Sequence, residues 1–351
     1  MAYPKYTQAA ILVEQKKPLV IDNVKLPETL GLGQVLVKVH YSGICGSQIG
    51  EINGAKGPDR FLPHLLGHEG TGTVVKIGPG VEHVGVDDLV VLHWRPGPGI
   101  QGKPPKYEWN GKSVNAGWVT TFNEYAVVSE NRLTTIPSDS DKQVGALFGC
   151  AVTTGFGVVV NNANIKIGES VVVLGAGGVG LNIVQAASLS GAYPIIAVDL
   201  FDGRLELAKE MGATHTINSK HTNARTAISE FLAGNPLDIF IDNTGNPDVI
   251  AMGYDLTHSK GKVVLVGVPQ AGKNVSLYTL PLHFGKSILG SHGGETIPEQ
   301  DIPRYERLYR NGRINLKNII SHCVPLSDIN DVISQLQDGT ISGRVLINFE
   351  E

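Results

Sequence analysis

The sequence predicts an α/β fold made of an irregular β-rich part and a doubly wound parallel sheet. Three observations carry that expectation. Short β-branched runs cut by glycine and proline fill the first 150 residues, strands alternate with helical patterns from about residue 168, and 43 glycines in 351 residues require many tight turns. A chain of this length forms one large domain or two. Its 42% hydrophobic and 18% charged residues are ordinary for a soluble protein, and a formal net charge of −4 leaves no basic excess for nucleic-acid phosphates or anionic lipid. Neither nucleic acid nor membrane is therefore an expected partner. The opening "MAYPKYTQAA" lacks a charged segment followed by an apolar one, and no run of about 18 apolar residues occurs later, so a cytoplasmic chain is expected.

Taken in order, "QVLVKVH" and "GTVVKIG" read as strands of the β-rich part. Residues 93–118 hold four prolines and all three tryptophans and read as a long loop, a surface lobe packed on its own aromatics or a substrate or subunit contact. The run "SVVVLGAGGVGLNIVQAASLSGAYPIIAVDL" then reads as strand, glycine turn, helix and strand. Further strands are expected at "LDIFIDN" and "KVVLVGV", with a helix over about residues 246–259 between them. Gly293 and Gly294 mark the chain's exit from the sheet, a helix follows near 301–311, and "GRVLINF" ends the chain as an apolar strand.

Gly175, Gly177 and Gly180 form G-x-G-x-x-G after a strand and before a helix, the context in which this pattern binds a dinucleotide. The first glycine allows the turn, the second admits the pyrophosphate and the third lets helix and strand pack, with the helix amino terminus facing the phosphates. Asp199 ends the second strand 19 residues past Gly180, where its carboxylate can accept both ribose hydroxyls and repel a 2′-phosphate. NAD rather than NADP is the expected cofactor. Arg204 reads either as an adenine-stacking residue or as a solvated helix-face charge.

Cys45, Cys150 and Cys323 are odd in number and far apart, so a disulfide framework is not expected. Cys323 reads as a core residue. "GICGSQIG", "HLLGHEG" and "FGCAVTTGFG" supply Cys45, His64, His68, Glu69 and Cys150. Two thiolates and one imidazole with an open fourth position suit a catalytic zinc. His64 and His68 stand four apart, but Pro63 and Gly67 argue against a helix that would align them.

With "GICGS", "GHEGTGTV", "GCAVTTGFG", "VVVLGAGGVGLNIVQAA", "AVDL", "MGATHTIN" and "SGRVLINF" in order, nearly the whole chain resembles the zinc-dependent medium-chain alcohol dehydrogenases. The resemblance implies a GroES-like catalytic domain over residues 1–151 and 294–351, a Rossmann cofactor domain over 152–293, and an active site in the cleft. It implies zinc ligands at Cys45, His68 and Cys150, with Glu69 as an acidic neighbour able to approach the metal. Ser47 would begin a proton relay, and Thr154 and Val179 would pack on the nicotinamide. Gly178 and Val266 join the implied cofactor contacts, and Arg344 would reach the pyrophosphate. The implied reaction is reversible hydride transfer between an alcohol and NAD, with zinc polarising the alcohol oxygen, in a homodimer or homotetramer.

Three departures qualify the resemblance. The four cysteines of the family's structural zinc are absent from residues 93–118, so one catalytic zinc and no structural zinc are expected. Ile49 and Gly50 follow where some members carry a relay histidine. Gln48 stands where an aspartate supports the metal-bound imidazole, and its amide oxygen is expected to orient His68 without adding charge. A polyol dehydrogenase of the same family, a zinc-free quinone-reductase-like protein and a non-enzymatic nucleotide-binding protein are the alternative readings.

Overall fold

The computed structural model describes residues 3–350. The chain divides into two compact units. One comprises the chain up to Cys150, Ile297–Thr340 and the segment from Arg344 onward, and the other comprises Ala151–Thr296 with Ile341–Gly343.

The first unit is β-rich. Strands Tyr6–Leu12, Val20–Lys25, Lys106–Trp109, Lys112–Asn115 and His64–Leu65 close into a barrel in that order. A seven-stranded sheet runs Leu133–Thr135, Leu89–His93, Glu69–Ile77, Gln34–Gly43, Arg344–Asn348 and Ile320–Pro325, with Tyr125–Ser129 pairing onto Gln34–Gly43. Gln34–Gly43 is interior to its sheet and is buried at nine of its ten positions, its polar Gln34, His40 and Ser42 included.

The segment 93–118 differs from its sequence expectation. It is not a lobe packed on its own aromatics, because Lys106–Trp109 and Lys112–Asn115 form a hairpin that completes the barrel. Tyr107 is buried in the barrel core with Ile11, Leu36 and Val127, and Trp109 packs against the same cluster. The Tyr107 hydroxyl accepts a hydrogen bond from Val127 N at 2.8 Å, which satisfies its polar end. Trp118 instead lies under the Arg132 guanidinium, 5.2 Å from it. Cys323 also departs from expectation: it is exposed on Ile320–Pro325, the edge strand of the sheet, where only one neighbour covers the backbone.

The second unit holds a six-stranded parallel sheet in the order His215–Asn218, Ile195–Asp199, Val171–Leu174, Leu237–Asp242, Thr257–Leu265, Ser287–Gly290. Numbered along the chain, this is the 3-2-1-4-5-6 arrangement of a doubly wound fold, which places ligands beyond the carboxyl ends of the central strands. Val172, Ile196, Phe240 and Val263 from four of these strands form one buried cluster. The helix expected over 246–259 is shorter, Pro247–Leu256. Thr257 takes extended backbone and its hydroxyl donates to the Gly253 carbonyl at 2.5 Å, so the chain enters the next strand at once. The later helix starts earlier than expected, at Pro298, because proline suits a first helical turn. No helix among the described residues is long and apolar enough to cross a membrane.

Two buried histidines make the first unit sensitive to acid. Burial pushes the His93 imidazole down to about 4 from its ordinary 6.5. Its two nitrogens face the Arg95 carbonyl at 2.7 Å and Thr134 Oγ1 at 2.9 Å. Burial likewise lowers His40 to about 4, with Lys142 adding to the effect and Glu350 opposing it. The folded values lie below the unfolded one, so the unfolded chain gains protons that the folded chain refuses as pH falls from 6.5 to 4. Stability is therefore full above 6.5 and declines through that window, by at most about 3 kcal/mol per histidine. Urea unfolding of His93→Gln across this range should show a pH slope smaller by about one proton than the parent's; identical slopes would remove His93 from the account.

Candidate active site

Three side chains in the first unit converge. Cys45, His68 and Cys150 each direct a ligand atom into one spot, and these atoms all lie within 4.8 Å of one another. Each arrives from a different element. Cys45 follows the strand Gln34–Gly43 and caps the helix Gly46–Ile52. His68 directly precedes the strand Glu69–Ile77, and Cys150 directly precedes the helix Ala151–Gly157. Gly67 makes the approach to His68 possible: its φ is +89°, and a Cβ there would lie 2.7 Å from Phe122 N. No side chain fits that turn.

The donors fit a zinc ion. The two thiols are buried and His68 Nε2 is buried without a hydrogen-bond partner among the described residues, an unpartnered ring nitrogen in a two-sulfur, one-nitrogen set. Hydrogen bonding from Cys150 holds the Cys45 thiol well below its usual range, aided by Arg344 and His68 against burial. Hydrogen bonding to Cys45 holds the Cys150 proton well above it, as do burial, the Cys45 thiolate and Glu69. The first proton thus leaves readily and the second stays until more positive charge arrives, which a divalent cation supplies.

Glu69 is not in the converging set. It is fully buried and its Oε1 lies 3.3 Å from Arg344 Nε, while Arg344 Nη1 donates to the Ile44 carbonyl at 2.6 Å. Burial works against the Arg344 cation, but Glu69, Cys45 and Cys150 outweigh it and push its pKa up. Sequence reasoning read Glu69 and Arg344 separately and missed their pairing, which no local spacing could reveal across 275 residues. Ser47 is half-buried and its hydroxyl oxygen is buried without a partner among the described residues. His64 stands apart, its Nε2 2.7 Å from Asp59 Oδ2.

Gln48 is buried and its side chain meets His68 Nδ1, but with the amide nitrogen rather than the expected oxygen. The oxygen accepts from Cys45 N at 3.3 Å. An amide N–H on Nδ1 leaves the ring proton on Nε2, the nitrogen that faces the ligand spot. Metal binding at Nε2 requires that proton on Nδ1, and therefore requires the amide to turn its oxygen to the ring and leave Cys45 N.

In the second unit, Gly175, Gly177, Gly178 and Gly180 form the turn between Val171–Leu174 and the helix Gly178–Leu189, with Val179 in its first turn. A Cβ at Gly180 would overlap the Gly175 carbonyl oxygen, so close packing forces glycine there. A Cβ at Gly177 would meet nothing within 4 Å, leaving a backbone cradle before the helix amino terminus that fits a pyrophosphate. Asp199 Oδ2 accepts from Ala176 N at 2.7 Å, and Oδ1 accepts from Leu200 N at 2.7 Å and Phe201 N at 3.1 Å. Arg204 Nη1 lies 3.7 Å from Asp199 Oδ1 and its guanidinium sits 4.8 Å from the Phe201 ring centre. That places it beside the carboxylate rather than in solvent. Val266 follows the strand Thr257–Leu265, its N–H donating to Asp242 O at 2.8 Å. Thr154 is buried in the helix Ala151–Gly157, and its hydroxyl has no partner among the described residues.

Known proteins share this fold. Residues 31–138 match the alcohol dehydrogenase GroES-like domain and residues 178–310 match the zinc-binding dehydrogenase family. An S-(hydroxymethyl)glutathione dehydrogenase of Synechocystis is 32% identical over 360 residues, spanning 95% of this chain and 97% of the relative. The crystal structure of benzyl alcohol dehydrogenase from Acinetobacter calcoaceticus superimposes with a TM-score of 0.86 at 30% identity, covering 98% of this chain and 99% of that one. An alcohol dehydrogenase zinc-binding domain protein from Burkholderia ambifaria gives 0.88 at 28% identity, with 99% of both chains covered. The chain belongs to the zinc-dependent medium-chain alcohol dehydrogenases and is an oxidoreductase.

The amide orientation at Gln48 makes a prediction. A carboxylate accepts from Cys45 N and from a protonated Nδ1 together, so Gln48→Glu should hold zinc more tightly, by up to roughly 10–100-fold. Competition with a chelator measures this; equal or weaker retention would show that the amide does not govern His68.

Proposed function

We propose that this chain oxidises small primary alcohols with NAD as hydride acceptor, using one catalytic zinc and no structural zinc. The convergence of Cys45, His68 and Cys150 on one spot, with His68 Nε2 unpartnered, carries this reading. Zinc held by these three side chains supplies Lewis-acid polarisation of the alcohol oxygen, and NAD bound over the glycine turn supplies the hydride acceptor. Cys45 and Cys150 enter as thiolates, and Arg344 and Glu69 hold the surrounding charge in balance. The Ser47 hydroxyl, buried without a partner among the described residues, is available to take the substrate proton. Ile49 and Gly50 offer no onward acceptor, so the proton leaves by a route outside this helix. The named relatives support the substrate class, because S-(hydroxymethyl)glutathione and benzyl alcohol both carry a primary hydroxymethyl group.

Asp199 supports the choice of NAD, since its carboxylate stands against the glycine turn where a 2′-phosphate would meet negative charge. Exposed Val268, Tyr278, Leu280, Phe284 and Leu289, near or on the edge strand Ser287–Gly290, support a homodimer or homotetramer. Three free cysteines support a cytoplasmic location.

Metal analysis after dialysis against metal-free buffer should find about one zinc held per chain. Cys150→Ser should lose it, and should lower alcohol-dependent NADH formation by more than the roughly 10–100-fold typical of losing an outer hydrogen-bond partner. Full activity in a verified zinc-free preparation would overturn the assignment.

The cofactor choice is tested separately. The unmodified protein should use NAD with higher kcat/KM than NADP, and Asp199→Ala should narrow the ratio. Comparable efficiency with both cofactors before mutation would remove Asp199 as the discriminator.

A further inference from the structure

A buried cation in the first unit lacks a counter-charge. Arg132 ends the short turn Glu130–Arg132 between the strands Tyr125–Ser129 and Leu133–Thr135, and it is only 4% exposed. Its Nη1 donates to the Trp94 carbonyl at 2.8 Å and its Nη2 to Gln101 Oε1 at 3.1 Å. Nε is buried with no partner among the described residues. An arginine presents five N–H donors, so this guanidinium keeps capacity for a further acceptor. Among the described residues it forms no ion pair; burial, and then the neighbouring Arg95 cation, push its pKa down.

Buried arginines are almost always paired, because a charge taken out of water without a partner is costly. The nearest carboxylate in sequence does not supply that partner. Glu130, two residues away, spends its oxygens on the N–H groups of Glu82, His83 and Ile100, at 2.6, 2.8 and 2.7 Å. The Trp118 ring covers the guanidinium at 5.2 Å and is itself 43% exposed, so this ring stands between the cation and solvent. The cation also has a defined place relative to the cysteine site. Glu69 pairs with His93 across the sheet, so His68 and Trp94 are the next residues outward on the two strands, and Arg132 holds the Trp94 carbonyl. Facing strand residues stand about 4.5–5.5 Å apart, which puts the guanidinium on the order of 10 Å from the backbone of His68.

We infer that Arg132 binds a carboxylate carried by the substrate, so that the preferred alcohols are hydroxymethyl compounds with an acid group at their far end. This rests on the alcohol-oxidising reading above and narrows its substrate class. A guanidinium is the side chain best matched to a carboxylate, because its planar fork offers paired N–H donors. The unpartnered Nε supplies one hydrogen bond, and Arg95 adds positive charge that draws an anion toward it. Trp118 gives way at its exposed side to admit the carboxylate, and its ring offers an aromatic ligand a surface beside the cation. A span of roughly 10 Å suits a rigid ring with the hydroxymethyl and acid groups at opposite ends. Binding then neutralises a charge that the folded chain leaves uncompensated, and a neutral alcohol of the same shape does not.

The test compares 4-(hydroxymethyl)benzoate with benzyl alcohol, which differ by the carboxylate alone. In the zinc-loaded full chain, kcat/KM for NAD reduction should favour the benzoate by about 10–100-fold, the worth of one hydrogen bond to a charged group, with most of the difference in KM. Arg132→Gln should bring the two alcohols close to equal. Arg95→Gln, at a half-buried position that tolerates replacement, should narrow the preference by removing only the attracting charge. Binding is read without turnover by fluorescence, since one of the chain's three tryptophans lies against the guanidinium. The benzoate should give a saturable change in the parent, shifted to at least tenfold higher concentration in Arg132→Gln. Acetate giving the same change at equal concentration would assign the site to a free anion and overturn the inference. An active parent with equal kcat/KM for the two alcohols, or a preference unchanged in both variants, would also overturn it and leave the alcohol-oxidising reading intact. Failure to oxidise these alcohols or ethanol would overturn that reading itself, and this inference with it.

Discussion

The arrangement of the first unit turns on a buried ion pair between Glu69 and Arg344. Both side chains come from strands that flank Gln34–Gly43 in the sheet, one strand on each side. They meet beyond its carboxyl end, where the chain continues through Ile44 to Cys45, and Arg344 also holds the Ile44 carbonyl. Ile44 N donates in turn to Val345 O at 3.0 Å. Cys45 is thus placed by the last strand of the chain, about 300 residues away in sequence. Removing either charge would leave the other buried and uncompensated, a loss of about 3–5 kcal/mol. The same loss would free the backbone that carries a ligand.

The charges around the ligand set follow from that pair. Glu69 and Arg344 cancel, so the two cysteines decide the net charge of the spot. With one proton shared between the sulfurs the spot is singly negative, and with both ionised it is doubly negative. A divalent cation neutralises the second state alone. Gln48 fits this balance because its neutral amide stands beside His68 without adding charge. An aspartate there would leave one negative charge in excess, softening the cation's pull on a bound oxygen while gripping the ion harder.

What was legible in the sequence was whatever is set by local geometry. The glycine turn was readable because Gly180 is fixed by contact with Gly175, only five residues away, and because a strand and a helix adjoin it. Cys45, His68 and Cys150 were readable as candidate ligands through their family pattern, and the structure places their donor atoms within 4.8 Å of one another. The barrel hairpin at Lys106–Asn115 was missed because prolines dominate its approach and its strands are only four residues each. Its stability comes from Tyr107 packing against strands distant in sequence, which no periodicity displays. Cys323 was misplaced for a related reason: an apolar strand looks the same in sequence at the edge of a sheet as at its centre. His64 was noticed, but its neighbours Asp59 and Glu51 come together through a turn held by Gln15, whose role no motif records.

Asp199 shows how a structural duty and the proposed binding duty can rest on one carboxylate. Its three backbone hydrogen bonds join the end of a strand to the glycine turn at Ala176 and to the entry of the next helix at Leu200 and Phe201. Hydrogen bonds to a charged acceptor are worth about 1.5–3 kcal/mol each, so the carboxylate shapes the turn before any nucleotide arrives. A carboxylate offers about four lone-pair sites, which leaves acceptor capacity for about one further hydroxyl beyond these three bonds. Replacing it with alanine therefore acts twice, by loosening the turn for either cofactor and by removing the charge that only a 2′-phosphate would feel. The first effect lowers affinity for NAD and NADP alike and cancels in their ratio, while the second does not cancel. The ratio of the two cofactors, and not the absolute rate with either, isolates the electrostatic contribution of this residue.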